Sequence, residues 1–401
     1  MTTTGMLQPR LSERVNALEE SATIAVSNLA ARMQAQGIDV IGLGQGEPDF
    51  PTPPHVVEAA IQAFRAGRTK YPKPFSGIPE LKDAVARKLL RENGLTYEQS
   101  QVIATVGGKE ALWLAFATLL DPGDEVVIPS PYWVSYAEQV KLCGGVAVIV
   151  EADVGSGYRI TPDQLRAALT PRTRAFVFNS PSNPTGAVYE PAEIAALADV
   201  LEGREVFVLA DEIYDRLVYG GREHRSWATA SQHAYEHTIT FNAGSKTYSM
   251  TGWRIGYAAG PRSVISAMAR LQSQTTSSAA TFSMLALAAA LDGDQACVEE
   301  MRTAFERRAA VMTARLDAIE GVICPPASGA FYLFPDVAGT FERTGVSGSL
   351  DWSARLLEEA HVAVVPGAAF GADRCARFSF ATGLESIEHG LDRLERWLAR
   401  R

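Results

Sequence analysis

Through the middle of this chain, short runs rich in Val, Ile and Phe alternate with helix-length amphipathic segments, and this alternation constrains the fold more than any other feature. Strands that alternate with helices predict an α/β fold, with a mostly parallel sheet that helices cover on both faces. The predicted strands span 102–105, 125–128, 146–150, 174–178, 206–210, 238–241 and 255–259, and the clearest helices between them span 109–120, 191–201 and 264–271.

The pattern changes in the last quarter of the chain, where longer charged helices surround a few strands. These helices are predicted at 299–319, 353–360 and 387–400. Because 401 residues exceed the usual size of a single hydrophobic core, we predict two domains. The large one would span residues 46–290 and a smaller α+β domain residues 291–401. Residues 1–45 would form an N-terminal arm whose helix packs on the smaller domain.

Polar segments that follow the predicted strands indicate where a ligand would bind. In open α/β sheets, ligands bind at the carboxyl ends of the strands. Five segments that contain glycine, proline or polar residues follow such ends directly, namely 107–109, 131–133, 179–186, 211–214 and 245–246. We therefore expect these segments to meet at one rim of the sheet and to form a binding site there.

The segment after the sixth predicted strand contains Ser245 and Lys246, and Arg254 follows eight residues later. A buried lysine loses part of its preference for the charged form, and its free amine can condense with an aldehyde. A hydroxyl and a guanidinium can hold a phosphate, and the glycines before Lys109 would expose backbone N–H groups at a helix start. These groups together suit a phosphorylated aldehyde cofactor. The same sequence is also compatible with a surface loop that carries an exposed lysine and arginine.

Other candidate residues also have a structural interpretation beside the functional one. Asp211 could cap a helix, or it could be a buried carboxylate that keeps a pyridine nitrogen protonated while Tyr214 hydrogen-bonds a ring oxygen. Asn183 could be a turn residue, and Trp133 could belong to the core or offer a flat surface to an aromatic cofactor. Arg377 could be an edge cation or an inward clamp for an anion.

Three motifs suggest other protein classes, but each of them matches its class poorly. The GLGQG run at 42–46 has the wrong spacing for a dinucleotide site, and the residues after it cannot open the required helix. In the GGKE run at 107–110, the first glycine of a nucleotide phosphate loop is missing and Glu110 replaces the metal-binding hydroxyl. The HAYEH run at 233–237 matches a zinc peptidase pattern, but we expect a solvated loop there with little room for a helix.

Composition narrows the location and the partners. A net charge of −9 argues against nucleic acid or an anionic membrane surface as the main partner. The four cysteines are scattered without paired spacing, which is typical of a reducing compartment. The first 20 residues lack the apolar run of a signal peptide, and the apolar stretch 284–291 is far shorter than a membrane span. We expect a soluble cytoplasmic enzyme without a metal site.

Taken together, these motifs resemble the class I and II aminotransferases, the fold-type I family of pyridoxal-phosphate enzymes. The strongest matches are SK at 245–246 with GWRIG at 252–256, NPTG at 183–186 and DEIY at 211–214. The likeness extends over nearly the whole chain, to RFSFAT at 377–382. The resemblance implies pyridoxal 5′-phosphate as the cofactor and a homodimer with shared active sites.

The resemblance also implies roles for single residues around the cofactor ring. Lys246 would bind the cofactor covalently and act as the base, and Asp211 would pair with the protonated ring nitrogen. Tyr214 and Asn183 would hydrogen-bond the ring oxygen, and Trp133 would stack on the ring. Lys246, Asp211 and Tyr214 are thus the implied catalytic residues, while Trp133 and Asn183 would also contact the substrate.

The phosphate and the substrate would be held by further residues that the resemblance implies. Ser245, Arg254 and the amides of Gly108 and Lys109 would hold the phosphate, together with Tyr71 from the second subunit. The substrate α-carboxylate would bind at two places, namely Gly46 and Arg377.

The assignment to a subgroup of the family depends on fewer residues than the resemblance to the family itself. GGK at 107–109, SPYW at 130–133 and Thr23 resemble bacterial aspartate aminotransferases, some of which accept prephenate. This resemblance implies that Lys109 reaches the second carboxylate of the substrate. The arginine that does so in the animal-type branch has no evident counterpart in 272–283, so the acidic-substrate preference depends on Lys109 and Thr23. The expected reaction is a ping-pong transfer from aspartate or glutamate to 2-oxoglutarate or oxaloacetate, with prephenate as a further candidate acceptor.

Four other activities stay open at this point. The same cofactor could serve an aminotransferase for aromatic or neutral amino acids, or a C–S β-lyase. A regulator that only senses the cofactor would need a DNA-binding domain, and none is apparent ahead of residue 20. Zinc hydrolysis from the segment 233–237 has the least support.

Overall fold

The structure, a computed structural model, describes residues 10–16, 18 and 22–400. These residues form twelve strands: β1 (Ile41–Gly42), β2 (Val102–Thr105), β3 (Glu125–Ser130), β4 (Val146–Glu151), β5 (Thr173–Asn179), β6 (Phe207–Asp211), β7 (Thr238–Ala243), β8 (Gly256–Ala259), β9 (Tyr332–Leu333), β10 (Val362–Ala363), β11 (Val365–Pro366) and β12 (Ala376–Ser379).

The same residues form sixteen α-helices: α1 (Glu13–Asn16), α2 (Ala22–Ala35), α3 (Pro54–Arg65), α4 (Pro79–Asn93), α5 (Gly108–Leu119), α6 (Ser135–Leu142), α7 (Pro162–Ala168), α8 (Pro191–Leu201), α9 (Gln232–Glu236), α10 (Gly244–Thr247), α11 (Arg262–Ser273), α12 (Thr281–Asp292), α13 (Ala296–Asp317), α14 (Phe341–Thr344), α15 (Ser349–Ala360) and α16 (Leu384–Ala399). Four of them, α3, α4, α7 and α8, begin with proline, whose fixed φ suits the first helical turn. Within the described residues, no helix combines the length and the apolar character needed to cross a membrane.

The central sheet contains the seven strands that the sequence predicts, in the order β2-β8-β7-β6-β5-β3-β4. All neighbours are parallel except β8, which runs antiparallel to both β2 and β7. The prediction of an α/β fold with a mostly parallel sheet is therefore confirmed. Several strands are longer than predicted because pairing continues past their apolar runs, as in the pairs of Ser130 with Glu151 and of Ala243 with Gly256.

Helices cover both faces of this sheet, and β5 shows how the sequence achieves this. Its successive side chains point to opposite faces. Ala175 and Val177 pack in a core with α5 and α11, whereas Phe176 and Phe178 pack in a core with α8. Because both faces are buried, the strand reads as a continuous apolar run and not as an alternation.

The C-terminal part of the chain has its own core around α13, α15 and α16, next to the antiparallel sheet β11-β12-β9. The segment that precedes the central sheet contacts this part, since β1 pairs with β10 and Val26, Ala30 and Met33 of α2 pack against Leu357. Helix α13 reaches both regions, with Val298 in a core of the central sheet and Met301 in the C-terminal core. The domain boundaries at 45/46 and 290/291 stay a prediction.

The prediction of a loop at residues 233–237 is wrong. Residues Gln232–Glu236 form the short helix α9, and Ser231 caps its start by accepting a hydrogen bond from the N–H of Ala234 at 3.0 Å. The helix stacks the rings of His233 and His237 at 4.1 Å. Among the residues that the structure describes, no group of three or more His, Cys, Asp or Glu side chains is arranged to hold a metal ion.

Candidate active site

A cleft lies at the carboxyl ends of the central strands, where the polar segments meet. Aromatic rings and a few convergent polar groups line it, as is typical of small-molecule sites. An adjoining compartment shares several of its walls. Of the residues singled out in the sequence, those that line the two compartments are Gly46, Gly108, Lys109, Trp133, Asn183, Asp211, Tyr214, Ser245, Lys246, Arg254 and Arg377.

Lys246 lies in α10, directly after the central strand β7. Its Nζ donates a hydrogen bond to the carbonyl of Gly46 and lies 5.6 Å from the centre of the Phe331 ring. Burial, aided by the positive charge of Arg377 and opposed by Glu47, lowers the pKa of Lys246 to about 8. At neutral pH this amine is therefore much closer to its neutral, nucleophilic form than an exposed lysine.

Asp211 ends the neighbouring strand β6 and is also buried. Its Oδ2 accepts a hydrogen bond from the hydroxyl of Tyr136 at 2.6 Å, and its Oδ1 accepts one from the N–H of Ile213 at 3.3 Å. Burial raises the pKa of Asp211 to about 6, although both hydrogen bonds and the charge of Lys246 act in the opposite direction. Turns and not a helix follow Asp211, so the interpretation as a helix N-cap is wrong.

Arg377 points inward from β12 and is 2% exposed. Its Nη1 donates to Oδ1 of Asn183 and its Nη2 to the carbonyl of Gly44, both at 2.9 Å. The guanidinium lies 4.4 Å from the centre of the Tyr332 ring, and the Tyr332 hydroxyl lies 3.1 Å from that of Tyr214. Burial lowers the pKa of Arg377. The interpretation as a surface edge cation is therefore wrong.

The adjoining compartment is lined by groups that suit an anion. Gly107 precedes α5 with φ +77, a backbone conformation that favours glycine, and a Cβ there would also displace the Arg254 guanidinium. Helix α5 thus begins at Gly108 with its first N–H groups beside Arg254 and the buried Ser245. A hydroxyl, a guanidinium and a helix N-terminus converge here.

Trp133 and Lys109 lie between the two compartments, because both residues line each of them. The indole packs edge-on against Tyr136 at 5.3 Å, and the Lys109 Nζ lies 5.0 Å from the centre of the indole ring. Burial and the nearby charge of Arg254 lower the pKa of Lys109. Trp133 thus has one side against the core and another toward the cleft.

Three of the cleft cations have no acidic partner. Within the described part of the chain, no carboxylate lies within salt-bridge distance of Lys109, Arg254 or Arg377, although many other Lys and Arg side chains are paired. Arg254 donates to backbone carbonyls alone, at 2.9 Å to Thr251, and the buried Nε of Arg377 has no hydrogen-bond acceptor. Arg377 is buried, and buried cations are normally paired. Lys109 and Arg254 are more exposed, but both line the cleft without an acidic partner. The three unpaired cations therefore suit anionic ligands.

One predicted residue lies outside the cleft, and the side chain of another is not described. Tyr71 is 73% exposed and its ring lies 5.7 Å from that of Phe75, so it lines a separate surface recess. Thr23 belongs to α2, but its side chain lies outside the described residues.

The sequence reading missed Tyr136 and Tyr332, which both line the cleft. Tyr136 follows Trp133 by three residues at the start of α6, a spacing that places the two rings on one side of a helical turn. That spacing was an available signal. Tyr332 lies on the two-residue strand β9, where no local motif marks it.

Comparison with known proteins agrees with this arrangement of fold and site. The family described as "Aminotransferase class I and II" matches residues 38–394. The chain therefore belongs to the class I and II aminotransferases, as its motifs predict, and it is an aminotransferase.

Individual relatives match along almost their whole length. The chain is 48% identical to an aspartate aminotransferase of Geobacillus stearothermophilus, over 98% of this chain and 100% of the relative. It is 46% identical to an aspartate/prephenate aminotransferase of Cereibacter sphaeroides, over 97% of this chain and 98% of the relative. The solved structure of Thermus thermophilus aspartate aminotransferase with maleate superposes with a TM-score of 0.92 at 45% identity, over 97% and 100% of the two chains.

Proposed function

We propose that this chain is a pyridoxal 5′-phosphate-dependent aminotransferase that uses aspartate and glutamate as amino donors and 2-oxoglutarate and oxaloacetate as acceptors. The observation that carries the proposal is the pairing of two buried groups in one cleft, Lys246 and Asp211. Burial lowers the pKa of Lys246 to about 8 and raises that of Asp211 to about 6. Two titratable groups with pKa values shifted toward neutrality are typical of acid–base chemistry.

The residues present fit the cofactor at both of its ends. Arg254, Ser245 and the first N–H groups of α5 would hold a phosphate, and the lack of any acidic partner for Arg254 within the described residues supports an anion there. Asp211 would face a ring nitrogen, Trp133 would stack on the ring, and the ring oxygen would be hydrogen-bonded by Tyr214 and Asn183. When bound, the cofactor would supply an electron sink for the charge that develops at Cα of the amino acid.

Two residues of this chain would then control where protons are removed and where they are held. The Lys246 Nζ is the base that would take the proton from Cα, and its lowered pKa leaves more of the neutral amine available at neutral pH. Asp211, when ionised, would hold a proton on the ring nitrogen. The Tyr136 hydroxyl, which donates to Asp211, supports that ionised state.

The acidic substrate is supported by the two remaining unpaired cations. Arg377 offers a planar fork for the α-carboxylate, while Lys109 offers a flexible point charge for the distal carboxylate. Maleate, which is present in the Thermus thermophilus structure, is a four-carbon dicarboxylate. Relatives named aspartate/prephenate aminotransferase make prephenate a further candidate acceptor. Gly46 lines the cleft, but its contact with the substrate α-carboxylate and the role of Thr23 are implied by the resemblance alone.

We expect Arg377→Ala and Lys109→Ser to have different effects on substrate choice. Because every amino acid has an α-carboxylate, Arg377→Ala should lower kcat/KM for all donors by roughly 10²-fold or more. Lys109→Ser should lower kcat/KM for aspartate and glutamate by about 10–100-fold and spare neutral donors. The measurement is kcat/KM for aspartate, glutamate and tyrosine in each variant.

Lys109→Arg is the matched control, since it keeps the charge and should retain most of the preference for aspartate. Equal losses for aspartate and tyrosine in Lys109→Ser would show that Lys109 does not recognise the side chain. The acidic-substrate assignment would then lack its main residue.

We also propose that the enzyme is a homodimer in which Tyr71 completes the phosphate site of the partner subunit. Tyr71 is exposed and distant from the cleft of its own chain. Apolar side chains of α3 are exposed in the same region, namely Val57, Ile61 and Phe64. The Phe64 ring lies 4.7 Å from that of Phe282. These contacts extend the apolar surface that a second copy would cover.

Mixing two inactive or weakened variants tests the shared site. In a hybrid dimer of Lys246→Ala and Tyr71→Ala chains, one of the two sites would contain both native residues. Refolding or subunit exchange of the mixture should therefore raise activity above that of either variant alone. An active monomer in sedimentation at assay concentration, or no gain on mixing, would exclude the shared site.

A cytoplasmic location is proposed on the state of the cysteines. Cys143, Cys297, Cys324 and Cys375 are all free thiols in the structure. Free thiols are typical of reducing compartments.

A further inference from the structure

Tyr136 makes the closest side-chain contact to the Asp211 carboxylate. It is the second residue of α6 and is 1% exposed. Its hydroxyl donates to Oδ2 of Asp211 at 2.6 Å, a length typical of a hydrogen bond from a hydroxyl to an ionised carboxylate. The other oxygen, Oδ1, accepts a backbone N–H from Ile213 at the longer distance of 3.3 Å.

The edge of the Tyr136 ring that carries the hydroxyl is fixed by packing. The ring belongs to the core that α5 and α6 form against the sheet, and it meets Trp133 edge-on at 5.3 Å. The phenol therefore has little freedom to turn away from Asp211. With Oδ2 held by this rigid donor, Oδ1 has only the longer contact with the Ile213 N–H, and Asp211 lines the cleft.

We infer that Tyr136 is a positioning residue that keeps the Asp211 carboxylate ionised and oriented toward the ring nitrogen of the cofactor. This inference rests on the proposed function, because it assigns the ring nitrogen to Asp211. It adds a residue that touches neither the ring nitrogen nor the substrate but determines how Asp211 can act on them.

The charged groups around Asp211 explain why a donor is needed. Burial favours the neutral carboxylic acid, and the adjacent Glu212 acts in the same direction. Lys246 and the Tyr136 hydrogen bond favour the carboxylate, and the Tyr214 phenol also faces it from the cleft. With the hydroxyl present the pKa of Asp211 is about 6. The pKa of Asp211 thus lies only slightly below neutral pH. Losing one hydrogen-bond donor can therefore raise it enough for the carboxylate to become protonated.

Tyr136→Phe removes the donor and keeps the ring. A hydrogen bond to a charged group typically corresponds to a shift of about 1–2 pH units in the titration of that group. We expect the Asp211 titration in the cofactor-free protein to move upward by that amount, toward or above neutral pH. The titration can be followed by the carboxyl carbon resonances of protein labelled with ¹³C-aspartate, with Asp211→Asn identifying the signal.

Tyr158→Phe is the matched control, since Tyr158 is also a buried phenol, and its hydroxyl donates to the Phe334 carbonyl at 2.7 Å, away from Asp211. This control should leave the Asp211 titration unchanged. If Tyr136→Phe leaves it unchanged as well, the inference is wrong. Should Tyr136→Phe not fold, a fluorinated tyrosine at position 136 is a stronger donor and should move the titration downward; no shift there would also overturn the inference.

A double-mutant cycle that measures cofactor affinity tests whether Tyr136 orients the Asp211 carboxylate. Tyr136→Phe should weaken binding of pyridoxal 5′-phosphate by about 10–100-fold when Asp211 is present. In the Asp211→Asn background it should add little further loss. Equal losses in both backgrounds would show that Tyr136 acts through general packing. Failure of the native protein to bind the cofactor would reject the proposed function, while the titration would still decide whether Tyr136 controls Asp211.

Discussion

Replacing Lys246 with alanine is expected to lower kcat/KM for amino transfer by more than about 10⁴-fold, because both the covalent link to the cofactor and the base are lost together. The lysine side chain is buried at a strand end, and its pKa is lowered to about 8. No other residue that the structure places in the cleft combines a free amine with this position beside Asp211. Steady-state kinetics with aspartate and 2-oxoglutarate measure the loss.

A second buried lysine provides the control. Burial also lowers the pKa of Lys82, but its Nζ donates to Ser76 at 2.9 Å, away from the cleft. Lys82→Met should change stability more than turnover. Borohydride treatment of the loaded enzyme should fix the cofactor to the peptide that contains Lys246. A label on another lysine, or substantial activity in Lys246→Ala, would remove Lys246 from the mechanism.

Replacing Asp211 with alanine is expected to lower the rate of Cα deprotonation by about 10³-fold or more, while cofactor binding persists in weakened form. The carboxylate would stabilise the protonated ring nitrogen through the transition state, and the loss of one preorganised electrostatic contact in a buried site has effects of this order. The rate can be measured as exchange of the α-hydrogen of aspartate with solvent. This readout reports deprotonation without requiring a complete turnover.

Asp215 gives a matched comparison for Asp211. It is also buried, yet Lys88 and His224 hold its pKa below the ordinary value despite the opposing effect of burial. Asp215→Asn would remove the nearer of the two carboxylates that Lys88 contacts, leaving Glu92 at 3.7 Å, and should lower Tm. The α-hydrogen exchange should stay near that of the native enzyme. Near-native exchange in Asp211→Ala would contradict the role proposed for Asp211.

The sequence was sufficient to predict the central sheet and the edge at which the site lies. Five of the seven central strands are apolar runs followed by a polar segment, and these five run in the same direction, which places the segments on one side of the sheet. The pairing of Asp211 with Phe241 shows this, because it aligns the ends of β6 and β7 and so brings Asp211 and Lys246 to the same rim. The family likeness was already apparent in these segments.

The contacts that tune the site could not be predicted in the same way. Tyr136 and Asp211 are 75 residues apart, and Tyr214 and Tyr332 are 118 apart, so local patterns give no information on either pair. The direction of Arg377 was also undetermined. The strand β12 alternates apolar and polar residues, a pattern that would place Arg377 on an exposed face. All four of its residues are buried, so the alternation does not identify a solvent-facing side.

The contacts of the buried groups behind the site could not be predicted from the local sequence either. Glu212 follows Asp211 directly, but its carboxylate accepts hydrogen bonds from Ser226 at 2.7 Å and from the N–H of Trp227 at 3.0 Å. Successive residues of an extended chain point to opposite sides. Two adjacent acids therefore have different surroundings. Asp211 was chosen as the functional acid because it ends an apolar strand and because the family motif implies the same role, but no sequence pattern predicted the partners of Glu212.

The central claim is that this chain transfers the amino group of aspartate through a cofactor held by Lys246, and the first half-reaction tests it most directly. The enzyme loaded with pyridoxal 5′-phosphate is mixed with aspartate in the absence of any 2-oxo acid, and the products are counted per active site. We predict that one equivalent of oxaloacetate forms and the reaction then stops until 2-oxoglutarate is added, which should yield one equivalent of glutamate. Continuous release of a 2-oxo acid with ammonia, or no oxaloacetate from aspartate while a neutral donor reacts fully, would contradict the account.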